Sequence, residues 1–261
     1  MQRFTIIHPL FMSFFSRSLY QDVARNWKGL CFAYLLSLLA LTLLPEVLKV
    51  RKDLSDFLRN EAPRIIRQVP PITISKGKVS VEGQEPYFIL DEKTGNPLII
   101  IDTTGRINTL GDSSALILVR KTDVLIKKDK TETRTLDLAD IEDFSINRNL
   151  LYGWMEGIED SFAFLVYPFA VVFSFLYHIV KALLFAAMGL LLARAFRSSI
   201  DYRALVRLSV ISMTPALVLN TFLITVGLVV PNWWAIGFLL TTGYLFFAVR
   251  VNSEKGPEEL S

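Results

Sequence analysis

Cysteine and histidine are nearly missing from this chain. Cys31 stands alone, so no intramolecular disulfide and no cysteine metal centre can form. His8 and His178 are the only imidazoles, and they fall in different segments, which removes a two-histidine metal site. No phosphate loop of the G-x-x-x-x-G-K-[ST] type, no G-x-S-x-G, no H-E-x-x-H and no nucleic-acid motif occurs. No metal, cofactor or nucleic-acid partner is therefore expected. Charge is also bland in total, since 28 basic and 25 acidic residues leave +3.

What the chain has in abundance is apolar sequence. Of its 261 residues 52% are hydrophobic and only 20% charged, with mean hydropathy +0.40. An ordinary soluble enzyme and a disordered tail both fit poorly. Gly29 to Leu44 is an unbroken apolar run, flanked by Trp27 and Lys28 before it and Pro45 and Glu46 after. With its flanks it supplies about 20 residues, enough at 1.5 Å each to cross a hydrocarbon core of ~30 Å. A leader of about 28 residues and the lack of a small-x-small cleavage site favour a retained anchor over a removed signal peptide.

Before this run, Leu10, Phe11, Phe14, Phe15, Leu19, Val23 and Trp27 recur at helical spacing, with Ser13, Arg17, Gln21, Asp22 and Arg25 on the other face. Residues 1–28 thus predict an amphipathic helix lying on the bilayer surface, though a helix packed on the protein's own bundle reads the same way. The first crossing is assigned to residues 29–46.

Residues 47–160 change character. Between Glu46 and Met155 basic and acidic residues balance at 17 each, and no apolar run is long enough to span. A helix-like stretch from Val47 to Pro63 opens this region, with Pro63 and Pro70-Pro71 expected to stop it. Strand chemistry follows. ITIS and KVSV flank Lys76-Gly77 as a tight hairpin, and PYFIL and PLIII flank the turn residues Asp91 to Asn96. ALILV, DVLI and RTLDL add further strands, giving an expected antiparallel sheet of five to seven strands. The opening helix, or the segment Phe144 to Trp154, is expected to close its core.

Three apolar blocks follow. Ser161 to Ala193 is too long for one straight crossing, since 33 residues approach ~50 Å. One long helix over 161–196, bent at Pro168, is favoured over a hairpin turning near His178 to Lys181. A basic loop, 197–204, leads to a third crossing at 205–230 and, after the tight turn at Pro231, a fourth at 233–250 with a tail at 251–261. Four crossings put Arg3, Arg17, Arg25, Lys28, Arg194, Arg197, Arg203, Arg207, Arg250 and Lys255 on one side. By the positive-inside rule that side is the cytoplasm, where the basic residues also meet anionic lipid. Both termini are then cytoplasmic and residues 47–160 extracytoplasmic. The fold class is an α-helical membrane bundle with an inserted β-rich α+β domain and an interfacial amino-terminal helix.

Candidate chemistry is sparse. Asp102-Thr103-Thr104-Gly105 is one residue off the aspartic-protease loop and has no second copy to share a proton, so a capped turn with Gly105 at positive φ is expected. The acids Asp137, Asp140, Glu142 and Asp143 lack the spacing of a calcium loop. Inside the apolar blocks His178, Lys181 and Asn220 stand out. An ionisable group in hydrocarbon costs roughly 2.5–3.5 kcal/mol, so each needs a partner, a cavity or a snorkelling route. Pro215 frees a carbonyl that Thr214, Asn220, Thr221 or Thr225 can answer, and Gly189 with Ala193 and Gly237 with Thr241 offer helix-packing faces.

Taken together, FFSRSLYQDVARNWKG, PPITISKGKVS, EPYFIL, IIIDTTGRI and MTPALVLN resemble the bacterial membrane family called domain of unknown function 1189. The resemblance runs over nearly the whole chain. It implies a bacterial inner-membrane protein, and some relatives carry the label of maltodextrin-utilisation membrane proteins. It brings no catalytic residues: Asp102, Thr103, Thr104, Gly105 and Pro215 are family-like positions without assigned roles. The expected function is non-enzymatic presentation of the β-rich domain to a membrane or envelope protein, as accessory or scaffold of a transport or envelope complex, with a homo-oligomer open. The alternative is a transporter or lipid-handling protein that uses a polar route lined by His178, Lys181 and Asn220.

Overall fold

The structure is a computed structural model that describes residues 4–129 and 132–253. Arg3, Lys255 and most of the expected tail lie outside the described residues. The chain divides into two compact units, Met1–Val50 with Ala163–Ser261, and Arg51–Phe162. The boundary falls within two uninterrupted helices, α3 (Leu30–Asn60) and α5 (Arg148–Ala195).

In the helical unit, α1 (Pro9–Met12) and α2 (Arg17–Asn26) precede α3, and α5 is followed by α6 (Tyr202–Thr225) and α7 (Trp233–Ser253). The amphipathic segment is thus two short helices, broken where Ser16 caps α2 by accepting from the Leu19 N–H. The apolar face of α2, Leu19, Tyr20, Val23 and Trp27, is fully buried in the bundle core rather than turned to a bilayer surface. Of the two arrangements that this periodicity permits, α2 adopts the packed one. Ile7, Phe11 and Phe15, 68%, 72% and 70% exposed, and Phe14 to a lesser degree keep an outward apolar face.

Helices α3, α5, α6 and α7 each contain a segment long and apolar enough to cross a membrane. α5 is one helix through Pro168, as expected, and its apolar part Ser161–Ala195 is lined with exposed large residues such as Phe164 at 82% and Phe173 at 67%. Water would not tolerate an apolar face of that extent, whereas lipid does. Hydrogen bonds from α6 climb α3 in register: Tyr34 Oη with Thr214 Oγ1 at 2.8 Å, Thr221 Oγ1 to the Thr42 carbonyl at 3.4 Å, and Asn220 Nδ2 to Glu46 Oε1 at 3.4 Å. The two helices therefore run in the same direction. α2 meets the start of α6 through Arg207 Nη2 donating to the Ala24 carbonyl, and the end of α7 through Asn252 Nδ2 donating to the Tyr20 carbonyl. The start of α3, the start of α6 and the end of α7 share one end of the bundle.

In the strand unit, α3 ends at Asn60 and α4 (Ala62–Gln68) begins at once, with Pro63 in its first turn. Pro63 starts this helix rather than stopping the preceding one, since a first-turn residue has no intrahelical N–H bond to lose. Eight strands follow: β1 (Ile72–Ser75), β2 (Lys78–Val81), β3 (Tyr87–Leu90), β4 (Pro97–Ile101), β5 (Ile117–Val119), β6 (Asp123–Lys127), β7 (Thr133–Asp137) and β8 (Phe144–Ile146). The expected single sheet is two, a three-stranded β2-β1-β8 and a five-stranded β3-β4-β5-β6-β7. The β1–β2 hairpin turns at Lys76 and Gly77, both at positive φ, and β3–β4 turns where it was expected. One pair departs from the antiparallel expectation: β4 and β5 are parallel.

Alternation explains why both faces of the five-stranded sheet are covered. Ile101 of β4 points into a core with Ile72, Ile74, Val79, Ile89 and Leu138, while Ile100 points the other way, toward Leu110, Ala115, Leu118 and Leu125. Ile65 of α4, Ile146 of β8 and Leu151 of α5 close the first core. Gln68 docks α4 on the sheet edge, its side-chain amide donating to and its carbonyl accepting from the backbone of Leu90.

Candidate functional site

Residues 102–116 make the parallel crossover from β4 to β5 without a helix. Such a loop must satisfy its own backbone donors. Asp102 does this. Only 1% exposed, its Oδ1 accepts from the Thr104 N–H and Thr104 Oγ1, and its Oδ2 from the Ile107 N–H. Glu85, in the EPYFIL segment, accepts from both the N–H and Oγ1 of Thr103, and Arg106 returns a bond to the Glu85 carbonyl. Gly105 takes φ +81°, as the capped turn requires. The two family-like segments thus meet in one hydrogen-bonded latch. Burial pushes the Asp102 carboxyl up, but the hydrogen bonds from Thr104, Ile107 and Gly105 outweigh it and hold the group below the ordinary carboxylate value. Among the described residues no three His, Cys, Asp or Glu groups converge as metal ligands, the Asp137 to Asp143 acids included.

The three intramembrane candidates are brought together. His178 and Lys181 of α5 and Asn220 of α6 line one cavity of about 90 Å³ with Trp233, Trp234 and Thr241 of α7. The i, i+3 spacing on α5 puts the first two on one helix face, and α6 supplies the third from the opposite wall. His178 is buried, and its Nδ1 lies 2.8 Å from the Ser174 carbonyl, which only accepts. Nδ1 therefore carries a proton and donates to that carbonyl. Lys181 Nζ sits over the Tyr177 ring at 5.4 Å and has no ion-pair partner among the described residues.

Two participants escaped the sequence reading. Glu46 looked like a mere boundary after the first apolar run, yet it accepts from Asn220. Lys49, one turn further on α3, lines a second cavity of about 200 Å³ that shares Asn220 and Trp233 with the first. Their i, i+3 spacing was the available signal. Among the basic residues, Arg17 begins α2, Arg25 lies in its last turn and Lys28 follows it, Arg194 closes α5, Arg197 lies in the following loop and Arg203 lies in the first turn of α6. Arg207 differs from the expected surface role, since it is half-buried and pins α2 through Ala24. Pro215 lies beside Thr214, whose hydroxyl is bonded to Tyr34.

Four apolar helices and two inserted β-sheets define the class, an α+β chain with the helix set of a multi-pass membrane protein. The chain belongs to the family described as "Protein of unknown function (DUF1189)", whose profile matches residues 7–249. That span contains every segment on which the resemblance rested. No curated protein matches the chain, and no solved structure does.

Proposed function

We propose that this protein is a non-enzymatic scaffold of the bacterial inner membrane, in which a four-helix bundle with cytoplasmic termini holds a β-rich unit on the extracytoplasmic side for a membrane or envelope partner. The observation that carries the reading is that the strands form a unit with cores of their own. The strand unit has its own cores, and it is inserted between α3 and α5, whose helices continue from one unit into the other without a linker. A strand unit with cores of its own suits presentation to a partner, since it offers a surface apart from the apolar helices. The shared bundle end of α2, α6 and α7, together with the basic residues around it, supports a common side for both termini. Exposed Phe11 and Phe15 beside Arg17 support contact of the amino-terminal turn with anionic lipid.

The test is a reporter fused near residue 120 that distinguishes the two sides of the membrane. Access from the outside is expected; access only from the cytosol removes the proposal with its topology. Copurification in mild detergent then reads the partner, which deletion of residues 72–139 should release and Lys181→Ala should not.

A second reading, lipid handling or transport through the bundle, is favoured by one observation: the convergence of His178, Lys181 and Asn220 on a single cavity. It predicts the reverse pattern, with function lost in Lys181→Ala and Asn220→Ala and retained without residues 72–139.

A further inference from the structure

Two cavities of the helical unit, those lined by Lys181 and by Lys49, differ in chemistry but share a wall. The smaller presents Lys181, Trp233 and Asn220; the larger joins Lys49 to the apolar side chains of Leu223, Leu228 and Val229. Among the described residues neither lysine has an acidic partner and the Trp233 indole N–H has no acceptor. Glu46 is the acid held nearby, and it is bonded to Asn220. Donors therefore outnumber acceptors around the polar space, and an anion is the group that answers them. Two cations with neutral donors suit the several oxygens of a phosphate better than the two of a carboxylate. The smaller cavity is far below the ~300 Å³ at which sites for drug-sized ligands begin. The adjoining apolar wall is what a hydrocarbon chain or glycerol carbons would cover.

We propose that these neighbouring cavities, which have Asn220 and Trp233 in common, bind a phosphate-bearing amphiphile of the phospholipid class, with its phosphate taken by Lys181, Lys49 and Trp233 and its apolar part lying against Leu223, Leu228 and Val229. Glu46 is an acceptor for hydroxyl or ammonium hydrogens of the head group. The inference rests on the second reading of the bundle only so far as binding, since occupancy requires no movement of lipid.

The experiment uses the full chain, stripped of lipid in neutral detergent. Short-chain phosphatidylglycerol, a chain-matched uncharged diacylglycerol and inorganic phosphate are titrated in turn, the lipids by native mass spectrometry and phosphate by calorimetry. One phosphatidylglycerol per chain is expected at saturation. Lys181→Ala should weaken binding by at least about tenfold, the worth of one charge-assisted hydrogen bond. Lys181→Arg should retain most of it, and Lys128→Ala, in the strand unit, should bind like the unaltered chain. Inorganic phosphate that binds with the same Lys181 dependence and displaces the lipid supports the phosphate chemistry and assigns it a soluble source. Binding that does not saturate, that is equal in Lys181→Ala, or that diacylglycerol matches overturns the proposal. A saturable site without lipid movement in reconstituted vesicles removes transport and leaves the site standing.

Discussion

Asp102 in the strand unit and Lys181 in the helical unit are both charged groups in apolar surroundings, and the structure treats them in opposite ways. Asp102 is nearly inaccessible and has both oxygens occupied by donors from its own loop. Lys181 is half-buried, and its described neighbour is the face of an aromatic ring. A buried charge whose hydrogen bonds are complete holds the chain in place, whereas one left incomplete stays available to something that is not part of the chain.

The difference can be tested first where it is largest. Asp102→Ala leaves the Thr104 and Ile107 N–H groups without an acceptor, so the strand unit should lose about 3 kcal/mol. Faster hydrogen exchange across residues 102–107 would check it, and unchanged protection would contradict the latch. The same carboxyl carries a pH signature. Its value in the folded unit lies below the ordinary 3.8, so its stabilisation is present above that value and is lost as pH falls through the lower, folded one. Acid unfolding of Asp102→Asn should accordingly show a shallower dependence below about pH 4.

Gly77→Ala should cost about 2 kcal/mol, because φ is +73° and a Cβ would lie 2.8 Å from the Ala139 Cα. A melting midpoint measured on the full chain reads this directly. In the bundle, Gly189→Val should cost on the order of 1 kcal/mol or more, since a Cβ there already meets Leu205 Cδ2 at 3.1 Å. Lys181→Met completes the contrast and carries the smallest effect: stability should stay level or rise by about 1 kcal/mol, as an incompletely partnered charge leaves apolar surroundings. If Lys181→Met destabilised as much as Asp102→Ala, the distinction between the two units would be lost.

Much of this was legible before any coordinates. Turn residues set between short strand-forming runs exposed the β1–β2 and β3–β4 hairpins, because Lys76-Gly77 and Asp91 to Asn96 can reverse the chain. The length of the second apolar block predicted a single long α5. The three polar residues of the bundle were singled out by their cost in hydrocarbon, and they converge. Other features were hidden. A loop crossover leaves no periodic trace, so the parallel β4–β5 pair was missed. The α2 face could bury itself in lipid or in protein with the same spacing, and only its neighbours on α6 and α7 select the second.

Composition and periodicity alone determined that four stretches are fit for hydrocarbon, that a charged strand-forming region separates the first from the second, and which side chains are too polar for their surroundings. These are local properties, set by transfer free energy and by the spacing of side chains along one element. Which polar groups are answered was decided only by tertiary structure, because Asp102 and Lys181 differ in the company that distant residues bring to them. A hydrogen bond depends on positions to within fractions of an ångström, and the chain's order does not contain those positions until it is folded.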